Sequence, residues 1–304
     1  MRFSNFTPDN NPALFGILLA IVGVLILTPD TLIMRLSGLE RWPMMGWRGI
    51  LMGTTLLFIW RLFPSQNRLQ ELRSLGSWQG ILVIIAFGFN SITFTLGIAE
   101  TSVIVVLTAV ALMPLIAAML SFFMLGEKQG WLGWLTIMLA MLGVVIVVMD
   151  GGNALGQPQG SVWLGAIYGL VTAFGLALTF TVTRKYPALS ILPACALGSL
   201  LSGIVGFALS ADGTIFTAPV WTIVTMGMLI LPLSFTCLGL APRYTSSAIV
   251  SLVMLLEMVI GPFWVWLGIG ERPTLTMIAG SLFVLCVLIF HVVRTSRMAP
   301  LSRP

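Results

Sequence analysis

One carboxylic acid, Glu257, stands near the middle of an apolar run of some twenty residues between Thr245-Ser246 and Gly270-Glu271. It lies about twelve residues into the run, roughly 18 Å deep at 1.5 Å per residue. A charge at that depth costs at least a few kcal/mol. Such a group earns its place by titrating, by holding an amine, or by joining two helices as a neutral acid. Asp30 and Arg48 come next. Asp30 is about six residues from the end of its apolar run and Arg48 about four residues into the following one. Entering from one face, they reach the same depth to within a few Å and can pair. Such a pair is a gate, a site for the two ends of a zwitterion, or a structural ion pair near the headgroups.

Weaker chemistry surrounds these three. Asn90 and Thr93 share an apolar run, and Ser234 sits in Pro232-Leu233-Ser234, so each is a candidate for lining a polar cavity or for bonding one helix to another. Tyr168 invites the same reading. Five of the ten tryptophans, Trp42, Trp78, Trp131, Trp163 and Trp221, fall at run ends, as an interfacial belt requires. Trp47 and Trp264 are set deeper and suit a cavity for a flat or cationic solute. Cys195, Cys237 and Cys286 lie far apart inside apolar runs and read as buried thiols. No metal site and no cofactor is expected.

The elements that position these residues follow from composition. Of 304 residues 58% are hydrophobic and 8% charged, against roughly 25% charged in soluble domains. Too few charges remain to cover a water-facing surface. Apolar runs of about 20 residues recur, and the alternation of barrel strands is absent, so an all-α integral membrane protein is expected. The expected spans are Ala13–Leu36, Met44–Phe63, Trp78–Gly97, Thr101–Leu125 and Trp131–Met149. After a Gly-, Gln- and Pro-rich linker come Ser161–Thr183, Ser190–Leu209, Pro219–Leu240, Thr245–Gly268 and Thr274–Val293. Pro64–Ser77 reads as a basic loop.

The two halves are related. Shifted by 144 residues, Thr101 falls on Thr245, Ser102 on Ser246, Gly126 on Gly270 and Glu127 on Glu271 without a gap. Met113 falls on Glu257, so the copies differ at that point. The expected organisation is a leader (1–12), a five-helix repeat (13–149), a linker (150–160), a second five-helix repeat (161–293) and a tail (294–304). With both termini inside, only Arg35, Arg41, Arg48 and Arg272 of the 15 basic residues are outside, which favours cytoplasmic termini. Five spans per half make the repeats inverted, as in secondary transporters with a site near the midplane.

Ala99-Glu100-Thr101-Ser102, Met113-Pro114 and Leu125-Gly126-Glu127-Lys128 return as Tyr244-Thr245-Ser246, Leu256-Glu257 and Gly270-Glu271-Arg272. On these residues the chain resembles the EamA family of the drug/metabolite transporter superfamily, over roughly residues 13 to 293. It departs from that pattern at Met258, where proline is usual, and at Met113. The resemblance implies ten transmembrane helices, two inverted five-helix repeats, and export or exchange of small organic solutes across the inner membrane.

Other classes fit less well. No Gly-rich loop leads into Lys-Ser or Lys-Thr, so energy comes from an ion gradient, protons among them, from counter-substrate, or from the solute's own gradient. One histidine is too few for a buried hydrolytic centre. A channel calls for charged rings or a filter loop, and neither is present. An uptake carrier or facilitative channel for a small metabolite remains the alternative. The expected partners are a small-molecule substrate and the lipid bilayer, with no nucleic acid; the basic residues sit singly in short gaps, not in patches. The oligomeric state is left open.

Overall fold

Pro29, Pro114 and Pro232 lie inside apolar runs, and a proline cannot donate to the carbonyl four residues before it. The helices break or widen at all three. In the computed structural model, which describes residues 12–62, 68–126, 131–156, 158–186, 188–211, 213–241, 244 and 247–298, the first run is α1 (Pro12–Leu27) followed by α2 (Asp30–Ser37). α3 is Arg41–Leu62, α4 is Arg68–Leu75 and α5 is Trp78–Glu100. The fourth run splits into α6 (Val103–Val110) and α7 (Met113–Leu125), and α8 is Trp131–Asp150. Then follow α9 (Val162–Lys185), α10 (Ile191–Ala208) and α11 (Val220–Val224). A π-helical stretch, Thr225–Ile230, leads into α12 (Leu231–Leu240). α13 (Ser247–Ile269) and α14 (Leu275–Met298) close the chain.

The architecture is all-α, and among the described residues the extended backbone is limited to one antiparallel bridge between Leu155 and Arg272. Among the described residues, seven helical stretches are long and apolar enough to cross a membrane, including Leu14–Ser37, Val103–Met124 and Val220–Leu240. Val253–Ile269 and Leu275–Phe290 are shorter apolar helices. α3 is 22 residues long but carries Arg41, Arg48 and Arg61. The segment expected as a loop at Pro64–Ser77 contains α4, whose exposed Leu69 and Leu72 suit an interfacial helix. Local i to i+4 bonding suffices for such a helix when one face rests on the apolar boundary.

Small residues bring the helices together. α3 packs along α10, and α5 along α9 and α10. A Cβ on Gly49 would collide with the Gly203 backbone, and one on Gly206 with the backbone of Gly46. Backbones this close exchange dispersion and weak C–H···O contacts that larger side chains would prevent. Elsewhere α1 packs on α12 and α13, and α8 on α14. The side chains of α1, α5, α9, α12 and α13 meet in one apolar core, and those of α6, α8, α13 and α14 in a second. Cys195 is buried, but Cys286 is exposed, contrary to the expectation of three buried thiols. On a helix apolar all round, the outer face suits lipid as well as the inner face suits protein.

Candidate functional site

Two helix breaks and one half-buried acid meet at the centre. Pro29 separates α1 from α2, so Asp30 falls in the first turn of α2. Arg48 reaches it from α3, its Nη1 donating to Asp30 Oδ1 at 2.7 Å and to Oδ2 at 2.8 Å. Both side chains are buried, and the Arg48 guanidinium also stands 5.6 Å from the Phe94 ring centroid. The Arg48 Nε has no hydrogen-bond partner.

The pair lines a narrow cavity of about 50 Å³ whose wall is contributed by α1, α2, α3, α5, α6, α9, α12 and α13. Glu257 enters it from α13 and Asn90 from α5, with Ser91, Phe94, Thr172, Phe235 and Met254 around them. Glu257 is within electrostatic reach of both Asp30 and Arg48. Among the described residues no side-chain hydrogen bond is made by Glu257 or by the Asn90 amide. Glu257 also lines a smaller void against Val110, Met113 and Pro114, where the fourth run breaks. At this volume the cavity has room for a few waters; an organic solute needs the helices to part.

The remaining candidates fall in different places. Thr93 sits beside the cavity, its hydroxyl 2.8 Å from that of Thr172, and so ties α5 to α9. Ser234 is fully buried and donates to the Leu231 carbonyl within its own helix. Tyr168 packs by Gly97 on the seam between α5 and α9 and is not among the cavity residues. Trp47 donates its indole N–H to Ile215 O at 2.7 Å and packs edge-on against Phe207 and Phe216. Trp264 donates to Thr28 Oγ1 at 3.2 Å. Neither tryptophan lines the cavity. Thr245, Ser246, Glu127 and Lys128, and the side chain of His291, lie outside the described residues.

Phe87, Phe94 and Phe235 are wall residues that the polar pattern did not single out. The signal was available on α5: Phe87, Asn90, Ser91 and Phe94 recur at i, i+3, i+4 and i+7, one helical face. Phe87 and Phe235 stack edge-on at 5.3 Å across the cavity.

A second, wide and open cavity of about 760 Å³ lies beyond the ion pair. Arg35, Arg41, Glu100 and Gln159 line this vestibule, with Met34, Met44 and Ile98 among its walls. Met34 is one helical turn from Asp30 and Met44 one turn from Arg48. An apolar layer therefore separates the vestibule from the ion pair.

A bundle of membrane-length helices, two of them broken beside a small cavity with an acid and an ion pair in its wall, is the build of a membrane transporter for small molecules. Residues 14–149 match the family model described as the EamA-like transporter family. An "Uncharacterized transporter YdfC" of Bacillus subtilis (strain 168) is 22% identical over 256 residues, 82% of this chain and 81% of its own. A solved crystal structure aligns over 95% of this chain and 99% of its own with a TM-score of 0.63 at 12% identity, a likeness of fold alone.

Proposed function

We propose that this protein is a secondary transporter that moves small organic metabolites, amino acids or related amines first, by alternating access. In this reading it works as an exporter or exchanger in the inner membrane, with both termini cytoplasmic, the vestibule outward and two inverted five-helix repeats around the cavity. The observation that carries the reading is the Glu257 carboxyl, which makes no hydrogen bond among the described residues, lining the same small cavity as the Asp30–Arg48 pair. A zwitterion finds an acceptor for its ammonium at Glu257 and a donor for its carboxylate at Arg48, whose Nε is unused. The solute's apolar part lies against Phe94, Phe235 and Met254. A proton is the alternative occupant of Glu257, which links emptying of the site to a proton or a counter-substrate. The small volume of the cavity favours a carrier over a facilitative channel, which needs a continuous bore.

The test is a thermal-shift screen of amino acids and amines on the purified protein, since a solute that binds the folded state raises its melting temperature. Wild type should be stabilised by one chemical class and Glu257→Gln should not. A class that stabilises both proteins equally places the amine site elsewhere.

A further inference from the structure

We propose that Arg35 and Glu271 form a latch that holds the vestibule end of the solute route shut, and that α2 is the part it releases. The inference rests on the transport reading above, but it is carried by contacts outside the central cavity.

Arg35 stands at the end of α2, next to Met34 of the vestibule wall and five residues from Asp30 of the cavity. Its Nη2 donates to Thr101 O at 2.6 Å, where α5 ends. Its Nε lies 3.3 Å from Glu271 Oε2 in the loop between α13 and α14. The other oxygen, Oε1, accepts from the Val103 N–H at 2.7 Å, in the first turn of α6. One arginine and one glutamate therefore tie together α2, the junction of α5 and α6, and the turn after α13. These segments belong to both halves of the chain.

The tie is closed but not well made. Glu271 is 4% exposed and the Arg35 side chain 12%. Yet Arg35 Nε and Glu271 Oε2 are both buried without a hydrogen bond, in contact but misaligned. Two charges removed from water recover that cost only with good geometry and satisfied lone pairs. Release of α2 therefore gives up the misaligned Arg35–Glu271 charge contact and one hydrogen bond, from Arg35 to Thr101 O, and lets water reach both charged groups.

α2 is built to be released. It is eight residues long, bounded by Pro29 at one end and by Gly38, with φ of 62°, at the other. Pro29 leaves no backbone hydrogen bond to its own N–H, and Gly38 holds a left-handed turn at little cost. Moving α2 carries Met34 away from the apolar layer and Asp30 away from Arg48, so one motion uncovers the layer and frees the guanidinium.

The experiment reads access directly and needs no knowledge of the solute. Ile98, fully buried and lining the vestibule floor, is changed to cysteine in a chain whose three native cysteines are replaced. A hydrophilic maleimide is applied to the protein in nanodiscs. Arg35→Gln and Glu271→Gln should each raise the labelling rate at position 98 about tenfold. Glu271→Gln keeps an acceptor for the Val103 amide, so it removes the charge contact without orphaning that group. Arg41→Gln breaks the other ion pair of this face, to Glu100 at 2.9 Å, and should leave the rate within about twofold. A chain keeping only the buried Cys195 serves as a measure of general loosening. An unchanged rate at position 98 overturns the latch. So does an equal rise with Arg41→Gln, or a matching rise at Cys195. Because labelling is independent of flux, a failure of the transport reading appears separately, as the absence of any stabilising solute.

Discussion

Trp264 of α13 donates its indole N–H to the Thr28 hydroxyl at 3.2 Å, and Thr28 donates in turn to the Leu25 carbonyl at 3.0 Å. Leu25 is the residue whose carbonyl Pro29 leaves without its helical donor. The break between α1 and α2 is thus repaired by a hydroxyl and pinned to α13 by a tryptophan. A residue that looks like part of a cation-binding wall holds a helix break in register instead.

Thr28→Val should destabilise the fold by about 1–2 kcal/mol, because it leaves the Leu25 carbonyl without the hydroxyl that replaces its helical donor. Trp264→Phe should cost about 0.6 kcal/mol, the scale of one hydrogen bond in a membrane bundle, plus the packing lost. Melting temperatures of the two purified variants check both. A larger loss for Trp264→Phe with binding abolished would return the tryptophan to the site.

Glu257→Gln separates two roles of the cavity acid. Under proton coupling, counterflow in liposomes survives while pH-driven accumulation is lost. Under amine binding, both fail together with ligand stabilisation. Wild-type flux at every pH would remove Glu257 from the mechanism.

Asp30→Asn leaves Arg48 buried and uncompensated, at a cost of about 3–5 kcal/mol. Asp30→Asn with Arg48→Met should recover much of that stability and none of the transport. If the double variant transports at the wild-type rate, the ion pair plays no part in moving solute.

Gly49→Val should collapse the seam of α3 and α10, since its first carbon already meets the Gly203 backbone. Gly152→Ala is the control, with open space around its Cβ. Yield of folded, monodisperse protein after solubilisation should fall sharply for the first and stay unchanged for the second.

Burial pushes the Glu271 carboxyl above its ordinary value of 4.5, against the pull of Arg35 and the Val103 amide. An acid with a raised folded-state pKa holds its proton longer in the folded chain than in the unfolded one. Its contribution to stability is complete below the unfolded value and is lost as pH rises through the folded one. Wild type should therefore lose stability relative to Glu271→Gln as pH rises from below 4.5. Parallel melting curves for the two proteins across this range would refute it.

The sequence by itself determined the class of protein and much of its order. A hydrophobic share of 58% with 8% charge leaves a helical membrane chain as the workable solution. Equal depth was enough to bring Asp30 and Arg48 together, because both count residues from one membrane face. What the sequence left undecided is which side of each helix faces protein. In a soluble helix, polarity marks the outer face; here the lipid side and the protein side are both apolar, so the periodic signal is weak. Trp47 and Trp264 were placed by depth alone, and tertiary packing turned both away from the cavity. Only the assembled bundle decided that Glu257, Asn90 and the Asp30–Arg48 pair share one space. It also decided that Arg35 meets Glu271, residues 236 positions apart that no local spacing relates. The cause is geometric: a cavity walled by eight helices is set by how they cross, and crossing is set by small residues meeting backbone to backbone, as Gly49 does Gly203.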